Sequence, residues 1–164
     1  MDAELAEYVG ARWPRLVRAA VLLGCTPTEA EDVVQGVLER CVRKWSQVRR
    51  ADDRDAYVHR MLVNAFVSSR RRRWRNELPV AAVPARADAD ATAEVDDADV
   101  MARALDRLST DHRTVVVLRY YAQLSEQQMA AVLQIAPGTV KSRLSRALRD
   151  LADDPQLDDL RGIQ

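Results

Sequence analysis

A chain of 164 residues, 48% of them hydrophobic, can form one domain or two small ones and is too apolar to be disordered throughout. Its 25 Lys and Arg balance 25 Asp and Glu, but the charges are segregated: seven Arg oppose two acids over residues 54–77, whereas one Arg faces six acids over residues 86–99. No signal peptide opens the chain and no apolar run approaches ~18 residues, so we expect a soluble cytoplasmic protein with no membrane contact.

The sequence gives no sign of catalytic or metal chemistry. Cys25 and Cys41 lack metal-ligand spacing to the two histidines, which argues against both a disulfide framework and a zinc site. We expect both cysteines to be small core residues in a reducing compartment. Because a Gly-rich phosphate loop and a Ser/His/Asp arrangement are both missing, the chain is predicted to need no cofactor and not to be an enzyme.

Two helices are predicted at the start of the chain. The first covers Asp2 to Leu23, with a break or bend at Trp13–Pro14. The second opens on a capping box formed by Thr28 and Glu31 and runs to about Trp45. Its inward face consists of Val34, Val37, Leu38 and Cys41. Opposite lies a polar ridge, which by itself is most often only a solvated surface. Its members are Asp32, Gln35, Glu39 and Arg43.

The most basic part of the chain follows a charged loop at residues 49–55. A long helix is predicted from about Asp55 to Arg75, and the residues of its polar face are Arg60, Asn64, Ser68 and Arg71. Four consecutive arginines, Arg70–Arg73, come near its end and must point in all directions around a helix, so several face solvent. Because like charges at this density repel each other, the cluster indicates a polyanionic partner.

Residues 77–98 are predicted to be a flexible linker, because they combine prolines with an acidic run and show no sustained apolar period. The predicted fold class is therefore all-α, with two small helical domains on either side of this linker. The predicted boundaries are an N-terminal domain at residues 1–76, a C-terminal domain at residues 99–152 and a tail at residues 153–164.

Two helices are predicted to open the C-terminal domain, at residues 99–108 and 111–123. The second contains three consecutive valines and two tyrosines, which on propensity would also suit a buried strand. Ser109 as an N-cap and the lack of a partner strand favour a helix. His112, near the start of that helix, is expected to have an ordinary surface role.

Residues 125–151 are predicted to form a helix-turn-helix. Ser125 caps the first helix and Gln128 completes a capping box. The break lies at residues 134–136, and Pro137 starts the second helix where its missing N–H is not needed.

The second of these helices has two contrasting faces. Its apolar stripe consists of Val140, Leu144, Ala147, Leu148 and Leu151. The remaining surface is cationic and hydroxylated, which suits the major groove of duplex DNA. The residues of that surface are Thr139, Lys141, Ser142, Arg143, Ser145, Arg146 and Arg149. Its four cations are within reach of phosphates or guanine edges.

Three stretches resemble one protein family. Residues 108–151, LSTDHRTVVVLRYYAQLSEQQMAAVLQIAPGTVKSRLSRALRDL, closely resemble the C-terminal promoter-reading domain of extracytoplasmic-function (ECF) sigma factors, and most of all the SigE-like actinobacterial branch. EAEDVVQGVLERCVRKW is similar to the family's polymerase-clamp-binding helix. YVHRMLVNAFVSSRRRR is similar to its helix for the downstream promoter element.

The resemblance implies a dissociable subunit that binds core RNA polymerase and directs promoter recognition and opening for transcription initiation. Its partners would be promoter DNA, the clamp of the largest polymerase subunit and the flap of the second. ECF sigma factors are commonly held by an anti-sigma factor, which makes such a protein a further candidate partner. The resemblance leads us to expect a cytoplasmic, nucleoid-associated monomer.

The resemblance also implies roles for individual residues. The polymerase-facing positions are Asp32, Gln35 and Glu39. Residues 49–57 match the loop that captures a flipped base of the −10 element. The candidates to stack on that base are Tyr57, Phe66 and Trp74, although a place in the core is at least as good an interpretation of each. The predicted −10 contacts are Tyr57, Arg60, Asn64, Ser68, Arg70, Arg71, Arg72 and Arg73. The predicted −35 contacts are Thr139, Lys141, Ser142, Arg143 and Arg146, beside Arg149.

The sequence departs from the family pattern at five positions. Gly36 and Leu38 stand where the clamp helix usually has an acidic residue and an aromatic, and Ser68 stands where Asp is frequent. Gln134 replaces the usual turn glycine, so a residue with a side chain is expected to adopt a positive φ. Ala136 replaces the usual serine cap, a loss of about 0.5–2 kcal/mol.

Two other classes of function agree with part of the sequence. A one-component helix-turn-helix regulator would bind its operator as a dimer without polymerase, but the sequence lacks a sensor pocket or a dimerisation stripe. An adaptor that binds only partner helices would leave Arg143 and Arg146 dispensable. The sigma-factor interpretation accounts for both halves of the chain.

Overall fold

The computed structural model describes residues 3–76 and 97–157. Both described segments are helical and contain no strand, which confirms the all-α fold class. The predicted linker, apart from its last two residues, lies outside the described residues, as does the end of the tail. Within the two described segments, no helix is long and apolar enough to cross a lipid bilayer.

Four helices make up the N-terminal unit, residues 3–76. They are α1 (Ala3–Leu23), α2 (Pro27–Arg43), α3 (Trp45–Arg50) and α4 (Arg54–Asn76). The inward face predicted for α2 is buried, and Val58, Leu62 and Phe66 of α4 are buried against it. Cys41 is in this core and Cys25 is half-buried at its edge. Burial raises the pKa of the Cys25 thiol to about 11.

Two predictions, for α1 and for the start of α2, are corrected. Helix α1 is not broken at Pro14, which lies inside it; buried residues on both sides of Pro14 hold the helix together. The capping box of α2 is formed by Thr26 and Glu29 rather than by Thr28 and Glu31, with Pro27 at the first helical position. Thr28 is already inside the helix.

The second helix also ends earlier than predicted. The chain leaves α2 at Lys44 and starts a new helix, α3, which buries Val48 in the core. The charged loop predicted for residues 49–55 therefore shrinks to residues 51–53. The sequence around Lys44 contains neither Gly nor Pro, so the local pattern alone favours a helix that continues to Trp45. The burial of Val48 in the core outweighs this local preference.

Four α-helices and a π turn form most of the C-terminal unit, residues 97–157, whose last three residues are also helical. They are α5 (Asp97–Arg107), α6 (Thr110–Val116), the π turn (Val117–Tyr121), α7 (Glu126–Leu133) and α8 (Pro137–Ala152). Helix α5 begins two residues inside the predicted linker. The helix predicted for residues 111–123 is confirmed, with Ser109 accepting the backbone N–H of His112, although its last turn widens to π geometry.

The helix-turn-helix is formed as predicted. Ser125 and Gln128 make both bonds of the capping box. Gln134 adopts the left-handed conformation at φ 55°, and Ala136 caps α8 without a side-chain bond. One prediction for α8 is wrong: Leu148 is exposed, whereas Val140, Leu144 and Ala147 of the predicted stripe are buried and Leu151 packs against the same core.

The cores of the two units are not separate. Val117 of the π turn is buried in the N-terminal core, where Tyr121 also packs. Conversely, Val63 of α4 is buried in the C-terminal core, and Val67 packs against both. Helix α7 lies against α4, and the π turn lies against α1. The sequence alone did not indicate this exchange.

Candidate nucleic-acid interface

Helix α8 presents its cations to solvent. Val140, Leu144 and Ala147 bury one side of the helix, so the opposite side faces outward. On that side Lys141, Ser142, Ser145, Arg146 and Arg149 are exposed. The cations on this face are not part of the core, so they can contact a DNA groove, as a groove-binding helix requires.

Arg143 and Thr139 differ from the rest of the predicted −35 set because both are half-buried. The guanidinium of Arg143 lies 3.4 Å from the carboxylate of Asp111 at the start of α6. The hydroxyl of Ser142 donates to the Thr139 carbonyl at 3.1 Å. His112 is not a plain surface residue either, since its Nδ1 lies 3.0 Å from Asp150 Oδ2 on α8.

Helix α4 carries the second polar surface. Arg60, Asn64 and Ser68 are exposed at successive helical intervals on one side. They lie next to Val63 and Val67, which are covered by the C-terminal unit. The row is therefore bounded on one flank by α7.

The arginines at the end of α4 are not equivalent. Arg73 forms an ion pair with Glu29 of the α2 capping box, whereas Arg70 lies over the Phe66 ring at 5.2 Å. Arg71 and Arg72 are exposed. An open cleft of about 370 Å³ lies at this end of the helix. It is lined by Arg70, Arg71, Trp74 and Arg75.

The three candidate stacking aromatics lie in very different environments. Phe66 is 1% exposed and belongs to the N-terminal core. Tyr57 is half-buried and packs against the same core. Trp74 is 86% exposed and lines the arginine-rich cleft. Of the three, only Trp74 offers a free ring face to a base.

The short loop before α4 is held by hydrogen bonds. Asp53 accepts the backbone N–H of Ala56 at 2.9 Å and so caps the helix. Its second carboxylate oxygen accepts a hydrogen bond from the side-chain amide of Gln128 on α7. The Ala56 bond and, to a smaller extent, the Gln128 bond lower the pKa of Asp53.

A small cavity lies where the two units meet beside α1. Its volume of about 30 Å³ has room for little more than one water molecule. His59 lies in its wall, with Nδ1 2.7 Å from the Asp55 carbonyl. Because the ring is removed from water, the pKa of His59 is lowered from its ordinary value of 6.5. The lining residues are Arg12, Arg15, Leu16, Asp55, His59, Tyr121 and Ala122.

The polar ridge of α2 is exposed along its length. Asp32, Gln35 and Glu39 face solvent, and the Gln35 amide donates to Glu39 at 3.3 Å. Leu38, one of the departures, is buried in the core and does not belong to this surface. At Gly36 a Cβ atom would meet nothing within 4 Å, so this glycine is not required by packing.

The chain matches two family models, "Sigma-70 region 2" over residues 10–76 and "Sigma-70, region 4" over residues 98–151. It is 35% identical to an RNA polymerase sigma-E factor of Streptomyces coelicolor over 92% of this chain and 85% of that protein. The chain is an ECF sigma factor. It is also 33% identical to the ECF sigma factor SigL of Mycobacterium tuberculosis, over 92% of this chain and 86% of that one.

Solved structures agree with this placement of the ECF sigma factor. The sigma factor RpoE of Bartonella quintana, in complex with the anti-sigma factor NepR, superposes with a TM-score of 0.77 and 28% identity over 96% of this chain and 98% of that one. CnrH, in complex with the cytosolic domain of CnrY, gives a TM-score of 0.61 over 90% of this chain and 84% of that one. At 22% identity, CnrH shows the shared fold alone.

Proposed function

We propose that the ECF sigma factor divides promoter recognition between two basic helices, with α4 at the −10 element and α8 at the −35 element. One observation carries the proposal: both units present a basic helix face to solvent. In each unit the opposite side of that helix is buried in the core. The two basic surfaces belong to the units at residues 1–76 and 99–152, and the linker at residues 77–98 joins these units.

At the −35 element, α8 enters the major groove. The exposed cations Lys141, Arg146 and Arg149 contact phosphates or guanine edges, and Ser142 supplies a hydroxyl. Arg143 reaches the groove by leaving Asp111, an ion pair exposed enough to cost little to break. Thr139 contributes from the start of the helix.

At the −10 element, the exposed row on α4 lies along a single strand separated from the duplex. Arg60, Asn64 and Ser68 contact the strand, with Tyr57 at the entrance of the helix, and Arg70–Arg73 grip its backbone. Trp74 provides the stacking surface, because an aromatic face among arginines binds bases of any sequence. Extruding a base costs a few kcal/mol, which these contacts offset.

Core polymerase holds the sigma factor through the α2 ridge. Asp32, Gln35 and Glu39 face the clamp of the largest subunit, and the C-terminal unit faces the flap of the second. The sigma factor acts as a monomer in the cytoplasm, at the nucleoid, and an anti-sigma factor is a further partner. Phosphoryl transfer belongs to the polymerase, and the sigma factor contributes no cofactor.

Run-off transcription with core polymerase tests the proposal as a whole, and mapping of the start sites then gives the promoter elements. Parent protein should initiate at discrete sites that share two elements. If core polymerase and the sigma factor initiate nowhere in the host genome, the proposal fails.

The polymerase contact has its own test. The double variant Asp32→Ala, Gln35→Ala should retain less core polymerase in a pull-down while its helical circular dichroism is unchanged. A matched control is Glu7→Ala, Gln47→Ala, which removes one exposed acid and one exposed amide from α1 and α3. Equal retention by the ridge variant and this control would contradict the assignment of the ridge.

A further inference from the structure

The small cavity beside α1 has an excess of positive charge in its wall. Arg12 and Arg15 of α1, Asp55 and His59 of α4 and Tyr121 of the π turn line it together. With His59 neutral, two guanidiniums and one carboxylate leave the wall with a net charge of +1. Because a charge withdrawn from bulk water is costly unless it is paired, the wall favours an anionic occupant.

The two arginines of the wall differ in how their charge is balanced. Nη2 of Arg12 lies 2.6 Å from Oδ1 of Asp55, and its guanidinium lies over the Tyr8 ring at 5.3 Å. Arg15 comes three residues later on α1, is exposed, and forms no ion pair within the described part of the chain. Like charges at this helical spacing repel each other. Arg15 is therefore the unbalanced charge of the wall.

His59 adds a hydrogen-bond donor that depends on its protonation. Its Nδ1 lies 2.7 Å from the Asp55 carbonyl, which can only accept, so the neutral ring carries its proton on Nδ1. Nε2 can then donate only after the ring takes up a second proton. Burial lowers the pKa of His59 most, Asp55 opposes this effect, and the charges of Arg12 and Arg15 lower the pKa further. An anion near the ring has the opposite effect to the arginines, because it favours the imidazolium.

The size of the cavity limits the class of anion. A volume of about 30 Å³ has room for little more than one water molecule. A chloride ion is only slightly larger than a water molecule and fits this space, whereas phosphate, sulfate and carboxylates contain several heavy atoms and do not. A cation is disfavoured, because the carboxylate of Asp55 is already paired with Arg12. Since Arg15 is exposed, the arginine side of the cavity can admit an ion from solvent.

We propose that this cavity is a binding site for a monatomic anion of the halide class, held by Arg12 and Arg15 and, when it is protonated, by His59. The anion balances the charge of Arg15 and accepts a hydrogen bond from the imidazolium. Anion and proton therefore bind together, and each strengthens the binding of the other by the same factor. The site is independent of the function proposed for the two basic helices.

Thermal unfolding of the full chain is the first test, in sodium chloride and in sodium gluconate of equal ionic strength at about pH 6. Gluconate is too large for the cavity and serves as the reference anion. Chloride at about ten times its Kd favours the folded state about elevenfold, which should raise Tm by roughly 3–6 °C over gluconate. Arg15→Gln should lose this difference. Arg18→Gln, at an exposed arginine of the same helix outside the cavity wall, is the matched control and should keep it.

An NMR titration of the His59 ring is the second test. The chain contains two histidines, so His112→Gln identifies the signals of His59. Chloride should raise the pKa of His59 relative to gluconate in the parent and in Arg18→Gln, by about one pH unit if the protonated form binds chloride tenfold more tightly. In Arg15→Gln the pKa of His59 should rise in both salts, because a repelling charge is lost, and should no longer differ between them.

Each variant is compared with itself in the two salts, so the general effects of the anions on protein stability cancel. Equal differences in Tm for the parent, Arg15→Gln and Arg18→Gln would mean that chloride acts on the surface charge as a whole, and would overturn the site. A His59 titration that is the same in both salts would also overturn it and leave water as the occupant. If Arg15→Gln lost its helical circular dichroism, the titrations of the parent and of Arg18→Gln would decide the result.

Discussion

Helices α4 and α8 carry the two basic surfaces of this sigma factor, and packing leaves them in different states. Helix α8 buries a single stripe in its own unit, so its cationic side is open to solvent. Helix α4 is buried on one side by its own unit and on another by the C-terminal unit, at Val63 and Val67. Charge alone therefore does not decide whether a basic helix face is available to DNA. Tertiary contacts decide which part of that face stays exposed to solvent.

The largest expected effect separates two of the three aromatic residues of α4, Phe66 and Trp74. Phe66→Ala should lower the free energy of unfolding by about 3–5 kcal/mol, because Phe66 is a fully buried core residue. Trp74→Ala should leave stability nearly unchanged and weaken binding of a single-stranded oligonucleotide that carries the −10 element by about 1–3 kcal/mol. Urea unfolding and oligonucleotide titration measure the two effects, and a stable Phe66→Ala variant would contradict the placement of Phe66 in the core.

The next effect concerns α8. Arg143→Ala should cost about 1–3 kcal/mol in promoter binding by the holoenzyme, whereas its stability should change by no more than about 1 kcal/mol because the pair with Asp111 is exposed. Arg103→Ala, an exposed arginine on α5, is the control. A gel shift that shows equal affinity for Arg143→Ala and the control would make Arg143 a structural partner of Asp111 and remove it from the groove.

A smaller effect is expected where α8 begins. Ala136→Ser supplies the missing side-chain cap and should stabilise the sigma factor by about 1 kcal/mol, which raises Tm by roughly 2–4 °C. The same substitution at Ala131, an exposed position inside α7, should lower stability slightly because serine is a poorer helix former than alanine. Thermal unfolding measures the Tm of both variants. If both Tm values shifted in the same direction, the assignment of residue 136 as the cap of α8 would be refuted.

The smallest expected effect is the pH dependence of the interface beside α1. Because burial lowers the pKa of His59, the folded chain resists a proton that the unfolded chain takes up below about pH 6.5. The neutral His59 ring therefore makes its full contribution to the free energy of unfolding above about pH 6.5. This contribution is lost as the pH falls through the lowered pKa. His59→Gln should reduce the difference between urea unfolding curves at about pH 8 and about pH 5.5. An identical difference in parent and variant would show that His59 does not titrate in this window.

Local patterns predicted most of the helices; one error has a local cause, and two others come from tertiary contacts. Two overlapping capping boxes begin at Thr26 and Thr28, and Pro27 between them favours the first, because proline is best tolerated at the first helical position. Neither Gly nor Pro marks the end of α2 at Lys44 or the π geometry after Val116. They are set by contacts that α3 and the π turn make with the core.

The candidate site was predicted in part. The outward placement of Lys141, Arg146 and Arg149 followed from helical periodicity, because a buried stripe fixes the opposite face. The partners of Arg143 and Arg73 could not be predicted, since Asp111 and Glu29 lie 32 and 44 residues away along the chain. The roles of these residues at the promoter remain predictions for the experiments above.

Patterns among near neighbours were enough to predict the helical fold, the helix-turn-helix and the two basic surfaces, because periodicity, caps and charge runs are local properties. It also carried the motifs that identify an ECF sigma factor. The docking of the two units, which places α7 against one flank of α4 and leaves α8 open, followed only from the three-dimensional fold. Leu22 and Arg113, or Asp53 and Gln128, are 91 and 75 residues apart, and each resembles an ordinary core or surface residue until folding brings it to its partner.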